Sequence, residues 1–149
     1  MYTKQEASLI RKEFWTSFGL YMKPLPSVSG EKVNWLNYKT GVKDLYFRMD
    51  ANKDQASIAI ELQHTDPNTR LDYFQRLIPL KDLLNRQLGE TWVWEPHTVN
   101  EEGRPISRIG TTRSSVNIFQ KSDWPAIISF LKPRIIALDE FWDSAKELF

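Results

Sequence analysis

The chain contains no cysteine among its 149 residues. Disulfide bonds, thiolate nucleophiles and cysteine-based zinc sites are therefore excluded, and a reducing, cytoplasmic location is expected. An excess of one charge is also lacking, since 20 basic and 19 acidic side chains leave a formal net charge of +1. The molecule as a whole then has no electrostatic bias towards nucleic acid or an anionic membrane.

Long apolar runs and common catalytic motifs are missing too. No run approaches the roughly 20 apolar residues that span a bilayer, so no membrane partner is expected. There is no glycine-rich phosphate loop. The two histidines, His64 and His97, have no clustered metal-ligating partners in the sequence, and both are expected in exposed loops.

What the chain does contain is enough apolar surface for one folded domain spanning residues 1–149. Apolar residues make up 41% of the sequence, and six of them are tryptophan, which predicts a bulky core. A chain of this length needs no metal or disulfide to stabilise its fold.

Apolar residues at steps of three and four predict three long helices. The first begins at a capping box formed by Thr3 and Glu6 and ends before Pro24. The second begins with Asp66 as its N-cap and ends at Gly89. The third follows the N-cap residue Asp123 and continues to the last residue of the chain.

Internal prolines and a surplus of apolar residues distinguish two of these helices. Pro79 is expected to kink the second helix or to divide it into two abutting helices, and Pro133 to bend the last. The last helix is apolar around much of its circumference. The residues off its main stripe are Ile127, Phe130, Ile136, Phe141 and Leu148. Either this helix is deeply buried, or part of it binds a protein partner, including a second copy in a homodimer.

Segments 42–50 and 55–63 alternate apolar and polar residues, which predicts a β-hairpin with Asn52-Lys53 at its turn. The register that places Ala51 opposite Asp54 keeps apolar residues facing one another. In that register Leu45 faces Ile60, Phe47 faces Ile58, Val42 faces Gln63 and Asp44 faces Glu61.

Further strands are predicted at 91–95 and over 105–119, the latter as one or two strands with Gly110 as a candidate bulge. A polar loop is expected from His97 to Gly103, and residues 33–39 are a candidate short strand. The predicted order is α-β-β-α-β-β-α. This order favours an α+β two-layer sandwich with a mainly antiparallel sheet of four to six strands and three long helices.

An acidic pair is the first candidate site. Asp44 and Glu61, followed by Gln63, resemble the divergent active-site pattern of restriction-endonuclease-like folds. In those folds two strand carboxylates hold a magnesium ion that positions water at a phosphodiester. Gln63 replaces the usual lysine, and Lys43 stands where proline is usual. The structural alternative, which we favour, is two carboxylates on a solvated sheet face.

A basic group is the second candidate site. Trp92 and Trp94 share one face of a predicted strand, and four basic residues flank the later strands: Arg104, Arg108, Arg113 and Lys121. Arginine beside exposed aromatic rings binds single-stranded nucleic acid by charge and stacking. The alternative, which we favour, is that both tryptophans lie in the core and the basic residues are ordinary solvated charges.

Several short stretches together are similar to a bacterial family of domains of unknown function, DUF4268. They are Val33-Asn34-Trp35 followed by Gly41, the strand Ser57 to Glu61, Leu88-Gly89, Trp92-Val93-Trp94-Glu95, Ser107-Arg108-Ile109 and Asp123-Trp124. The resemblance covers about residue 5 to the end. It implies a module found alone or C-terminal to nuclease- or restriction-related domains, and it identifies no catalytic residue.

The sequence therefore favours a non-enzymatic bacterial interaction or accessory domain that needs no cofactor. The alternative is a nucleic-acid-associated domain in a restriction or defence context. It would bind DNA through Arg104, Arg108, Arg113 and Lys121, or cut it with magnesium at Asp44, Glu61 and Gln63.

Overall fold

The structure is a computed structural model that describes residues 2–149. Its elements in chain order are α1 (Lys4–Met22), β1 (Leu45–Ala51), β2 (Gln55–Leu62), α2 (Pro67–Leu77), α3 (Lys81–Leu88), β3 (Val93–Val99), β4 (Pro105–Ser114) and α4 (Trp124–Ala145). The predicted α+β class is confirmed, and so is the predicted order of helices and strands once α2 and α3 are taken as the two halves of the second helix.

The four strands form one open antiparallel sheet in the order β1-β2-β4-β3. Two predicted strands do not form. Residues Trp35–Asn37 make a 3-10 turn because the Asn34 side chain caps it, and Val116–Phe119 is irregular. β3 instead continues through Pro96 and His97, where a loop was predicted.

The predicted register of the first hairpin is wrong by two residues. Ala51 pairs with Ala56, and Leu45 pairs with Leu62. The cause is the turn, because Asn52 Oδ1 accepts hydrogen bonds from the backbone N–H groups of Asp54 and Gln55 at 2.8 and 2.9 Å. The longer turn shifts the register by an even number, so every side chain stays on its predicted face.

The predicted helix ends are largely confirmed. Thr3 Oγ1 accepts from the Glu6 N–H at 3.1 Å, Asp66 accepts from the Asn68 N–H, and Gly89 ends α3 at a left-handed φ of 69°. Asp123 lies at the N-cap position of α4, but its carboxylate accepts instead from the Asn117 N–H at 3.0 Å.

The internal prolines have different effects. At Pro79 the second helix divides into α2 and α3, joined by a 3-10 turn at Ile78–Leu80, as expected from the missing amide donor. At Pro133 the helix continues, and α4 is a single element of 22 residues.

The core lies between one face of the sheet and the helices, which form the second layer. Phe47 of β1 packs edge-on against Trp142 of α4, and Phe74 of α2 packs against Trp94 of β3. α1 contacts α4 through Phe14, whose ring lies 5.3 Å from that of Trp124.

The surplus apolar residues of α4 are largely buried. Ile127, Phe130 and Phe141 are at most 6% exposed, whereas Leu148 beyond the helix is 60% exposed. The deep-burial interpretation of this helix is confirmed for those three residues. A homodimer through α4 stays a prediction.

A long connection between α1 and β1 is held to α4 by hydrogen bonds to two buried side chains of that helix, Asp139 and Trp142. The Asp139 carboxylate of α4 is 2% exposed and accepts from Ser27 Oγ, the Val28 N–H and Tyr38 Oη, at 3.1, 2.8 and 2.5 Å. Trp142 Nε1 donates to the Thr40 carbonyl at 2.8 Å. Burial, together with the Asp139 carboxylate, raises the pKa of Tyr38 well above its usual range.

Within residues 2–149, no helix combines the length and apolar character that a bilayer crossing requires.

Candidate functional site

The face of the sheet opposite the helices carries a row of polar side chains that crosses all four strands. Tyr46 pairs with Glu61, Glu61 with Arg108, and Arg108 with Glu95. Arg108 therefore lies between two glutamates on neighbouring strands. Opposite charges at directly facing positions attract one another. The row therefore alternates negative and positive side chains across three neighbouring strands and has no excess of positive charge.

A cleft of about 640 Å³, which we call the outer cleft, opens on this face. Its floor contains Glu61 and Arg108, and one wall is formed by Arg48 and Asp50 of β1. The turn between β3 and β4, residues 100–104, forms the other wall.

The turn that forms this wall is ordered by one asparagine. Asn100 Oδ1 accepts from the backbone N–H groups of Glu102 and Arg104 at 3.0 and 2.9 Å. Gly103 completes the turn at a φ of 78°, a conformation that glycine adopts without strain. Hydrogen bonds within the turn therefore fix the backbone of this wall, which holds its side chains in place at the cleft.

Two of the predicted acidic-site residues join the turn to the floor. Gln63 Nε2 donates to Glu61 Oε1 at 2.9 Å, and Arg104 donates to the Gln63 carbonyl at 2.6 Å. Glu61 is only 9% exposed, and the hydrogen bond from Gln63 gives its side chain a polar partner there.

Two acidic residues, Asp50 of β1 and Glu101 of the turn, line the cleft on its two walls. The nearby Asp50 carboxyl group of β1 raises the pKa of Glu101, with burial adding to the effect. Within residues 2–149, no three acidic or histidine side chains are grouped so as to hold a metal ion.

The structure brings two of the four predicted basic residues together and places the other two apart. Arg104 and Arg108 line the outer cleft. Arg113 lies at the far end of β4 in a separate shallow depression, and Lys121 bonds with Glu13 of α1 at 2.9 Å. The interpretation of the tryptophans as core residues is confirmed for Trp92, which is 5% exposed. Trp94 is partly buried, with Phe74 packed against it.

Asp44 does not face Glu61, which corrects the predicted pairing. Asp44 precedes β1 at a left-handed φ of 64°, and its carbonyl accepts from the Gln63 N–H at 2.8 Å. Tyr46 occupies the position opposite Glu61 instead. The two carboxylates that were expected to share a cation are thus not directly opposite one another on the paired strands.

His64 is not in an exposed loop, contrary to expectation. The side chain is 7% exposed, its ring centroid lies 4.4 Å from that of Tyr73, and Nδ1 has no hydrogen-bond partner. Burial lowers the pKa of His64, while the nearby Asp44 carboxylate acts in the opposite direction and Arg70 adds to the lowering.

Acid is therefore expected to destabilise the protein through His64. Above about pH 6.5 the ring is neutral in both the folded and the unfolded chain. As the pH falls, the unfolded chain binds the proton first, and the free energy of unfolding declines until the lower pKa of the folded state is passed. Each pH unit between the two pKa values costs about 1.4 kcal/mol. Urea unfolding at pH 7.5 and 5.0 measures the loss.

The control for this experiment is the second histidine. His64→Gln should reduce the loss of stability between the two pH values, whereas His97→Gln, at an exposed position in β3, should leave it unchanged. Equal acid sensitivity of His64→Gln and the unsubstituted protein would contradict the assignment.

Among the charged residues of the outer cleft, the sequence did not identify Arg48, Asp50, Glu101 and Glu102. The first two alternate with core residues along β1, so strand parity places them on the polar face. Nothing in the sequence indicates that the β3–β4 turn approaches β1, because that contact depends on how far β3 extends.

Comparison with known proteins gives one match. A family model described as "Domain of unknown function (DUF4268)" matches residues 10–146. No curated protein and no solved structure matches the chain.

Proposed function

The chain belongs to the DUF4268 family, and for this member we propose a non-enzymatic role as an interaction domain that binds a charged segment of a protein partner in the outer cleft. The observation that carries the proposal is the position of Arg108 in the sheet, opposite Glu61, which lines the cleft with it, and opposite Glu95 on the neighbouring strand. A surface that displays both signs side by side complements a polypeptide that carries both signs.

The walls of the cleft support the same partner class. Arg48 and Arg104 present positive charge, while Asp50 and Glu101 present carboxyl groups close to one another. A polymer of one sign would meet repulsive groups on each wall, which costs affinity and selects against it. Tyr46, and not Asp44, stands opposite Glu61, so the carboxylate pair expected for magnesium is not formed across these strands. This likewise favours binding over magnesium-dependent cleavage at Glu61 and Gln63.

Selection from a random peptide display library tests this function. We expect the immobilised domain to enrich peptides that carry both acidic and basic residues, with binding that weakens as the salt concentration rises. Arg108→Gln should reduce the recovery of these peptides by about tenfold, since an acidic residue of the bound peptide then loses its positively charged partner in the cleft. Arg113→Gln, which removes the same charge from the same strand outside the cleft, is the matched control. Equal recovery by both variants would contradict the proposal.

Nucleic-acid binding is the second candidate, because Arg104 and Arg108 lie in one cleft together with Arg48. A gel-shift titration with single- and double-stranded oligonucleotides separates it from the first. The predicted basic residues provide two variants of equal charge: Arg104→Gln/Arg108→Gln and Arg113→Gln/Lys121→Gln. Binding in the cleft requires that only the first variant weaken a salt-dependent shift. Any shift that both variants weaken equally reflects general charge and not this site.

A further inference from the structure

A second, apolar groove lies between α1 and the 3-10 turn Trp35–Asn37. It has a volume of about 560 Å³. Trp15, Gly19 and Leu20 of α1 form one wall, and Val33 and Leu36 form the other. Leu20 is 64% exposed, so a large apolar side chain at this groove is left in contact with water.

The shape of the groove depends on a glycine in the last turn of α1, Gly19. Gly19 has no left-handed φ to explain it, and glycine inside a helix costs about 1 kcal/mol relative to alanine. A Cβ atom at this position would lie 3.1 Å from Leu36 Cδ1. The absent side chain thus lets the 3-10 turn approach α1 closely.

The charges at the groove are of one sign. The residues that line it include Lys23 and Lys32, and none of its lining residues is acidic. The segment of α1 from Trp15 to Lys23 is about 12 Å long at 1.5 Å per residue, which matches two turns of a docked helix. A second copy of this groove would bring four lysines together without a carboxylate between them, so charge disfavours self-association here.

We propose that this groove binds a short amphipathic helix of a protein partner, with apolar residues that contact Leu20 and Leu36 and with carboxylates that face Lys23 and Lys32. Helices bind in such grooves through apolar side chains three and four positions apart. The lysines select the charge of the helix, and the apolar walls supply the affinity. This site is separate from the outer cleft and does not depend on the function proposed for it.

Two fluorescein-labelled peptides of about 15 residues test the proposal by fluorescence anisotropy. Both carry leucines at alternating steps of three and four. One has glutamates at the remaining positions, and the other has lysines. We expect the glutamate peptide to bind and the lysine peptide to bind at least about tenfold more weakly.

Variants of α1 locate the binding. Leu20→Glu should weaken the glutamate peptide by about tenfold or more, since it removes an apolar contact and adds a repulsive charge. Leu9→Glu is the matched control, because Leu9 is 60% exposed on the same helix outside the groove. Lys23→Glu/Lys32→Glu should reverse the preference between the two peptides.

Three results would overturn the proposal. One is equal binding of the two peptides, and another is equal affinity of the Leu20→Glu and Leu9→Glu variants for the glutamate peptide. The third is a dimer in light scattering that Leu20→Glu dissociates, since the groove would then hold a second copy of this chain. Arg108→Gln in the outer cleft should leave peptide binding unchanged.

Discussion

Replacement of Asp139 by alanine is expected to lower the free energy of unfolding by about 3 kcal/mol. The Asp139 carboxylate is 2% exposed and accepts hydrogen bonds from Ser27, Val28 and Tyr38. Its removal leaves three partly buried donors without this acceptor, and each unpaired donor costs about 1–3 kcal/mol before water or rearrangement compensates. Urea unfolding followed by tryptophan fluorescence measures the change.

The control is one turn away on the same helix. Asp143 is exposed, and its ion pair with Lys146 is long, at 3.7 Å. Exposed ion pairs contribute little, so Asp143→Ala should change the free energy of unfolding by no more than about 0.5 kcal/mol. Tyr38→Phe should have an intermediate effect, because it removes one donor and keeps the ring stacked on Phe47 at 4.9 Å. Similar losses for Asp139→Ala and Asp143→Ala would contradict the role assigned to the buried carboxylate.

Replacement of Gly110 by valine is expected to lower stability by about 3 kcal/mol. Gly110 lies in β4, where it pairs with Ala59 on one side and Val93 on the other. A Cβ atom there would lie 2.8 Å from Ala59 Cβ and 2.9 Å from the Ile58 carbonyl oxygen. Neither contact is compatible with a regular sheet, and the backbone atom cannot move aside as a flexible side chain would.

A double-mutant cycle separates these two contacts. Gly110→Ala should be destabilising in the natural background, and less so when Ala59→Gly is present, because the nearer Cβ is then gone. Additive effects of the two substitutions would contradict the proposed clash. The prediction that Gly110 marks a bulge is wrong, because the irregular pairing lies in β3 between Glu95 and Thr98.

Local chemistry predicted the helices well and the hairpin register poorly. The capping residues Thr3, Asp66 and Gly89 act through neighbours within a few positions, so their roles follow from spacing alone. The register depends on a choice at Asn52, which fits either a two-residue turn or the longer turn that its side chain closes. Alternation of apolar and polar residues cannot decide between them, because both keep the same faces.

The candidate site was only half predictable for a related reason. Glu61, Gln63, Arg104 and Arg108 were identified as two separate groups, and their meeting in one cleft requires the pairing of β2 with β4. His64 and Asp139 show the limits of polarity as a guide to exposure. Each is a polar residue buried by packing partners remote in the sequence, Tyr73 for the first and the α1–β1 connection for the second.

The strand order has a consequence for how the chain folds. The pairs β1–β2 and β3–β4 are hairpins whose strands are close in the sequence. In contrast, β2 and β4 are adjacent in the sheet but are separated along the chain by α2, α3 and β3. That one pairing carries the entropy of closing the long loop, and contacts between distant residues slow folding. Ala59 and Gly110 lie on it, as do Glu61 and Arg108. We therefore expect the floor of the outer cleft to form in the slow step that joins the two halves of the sheet.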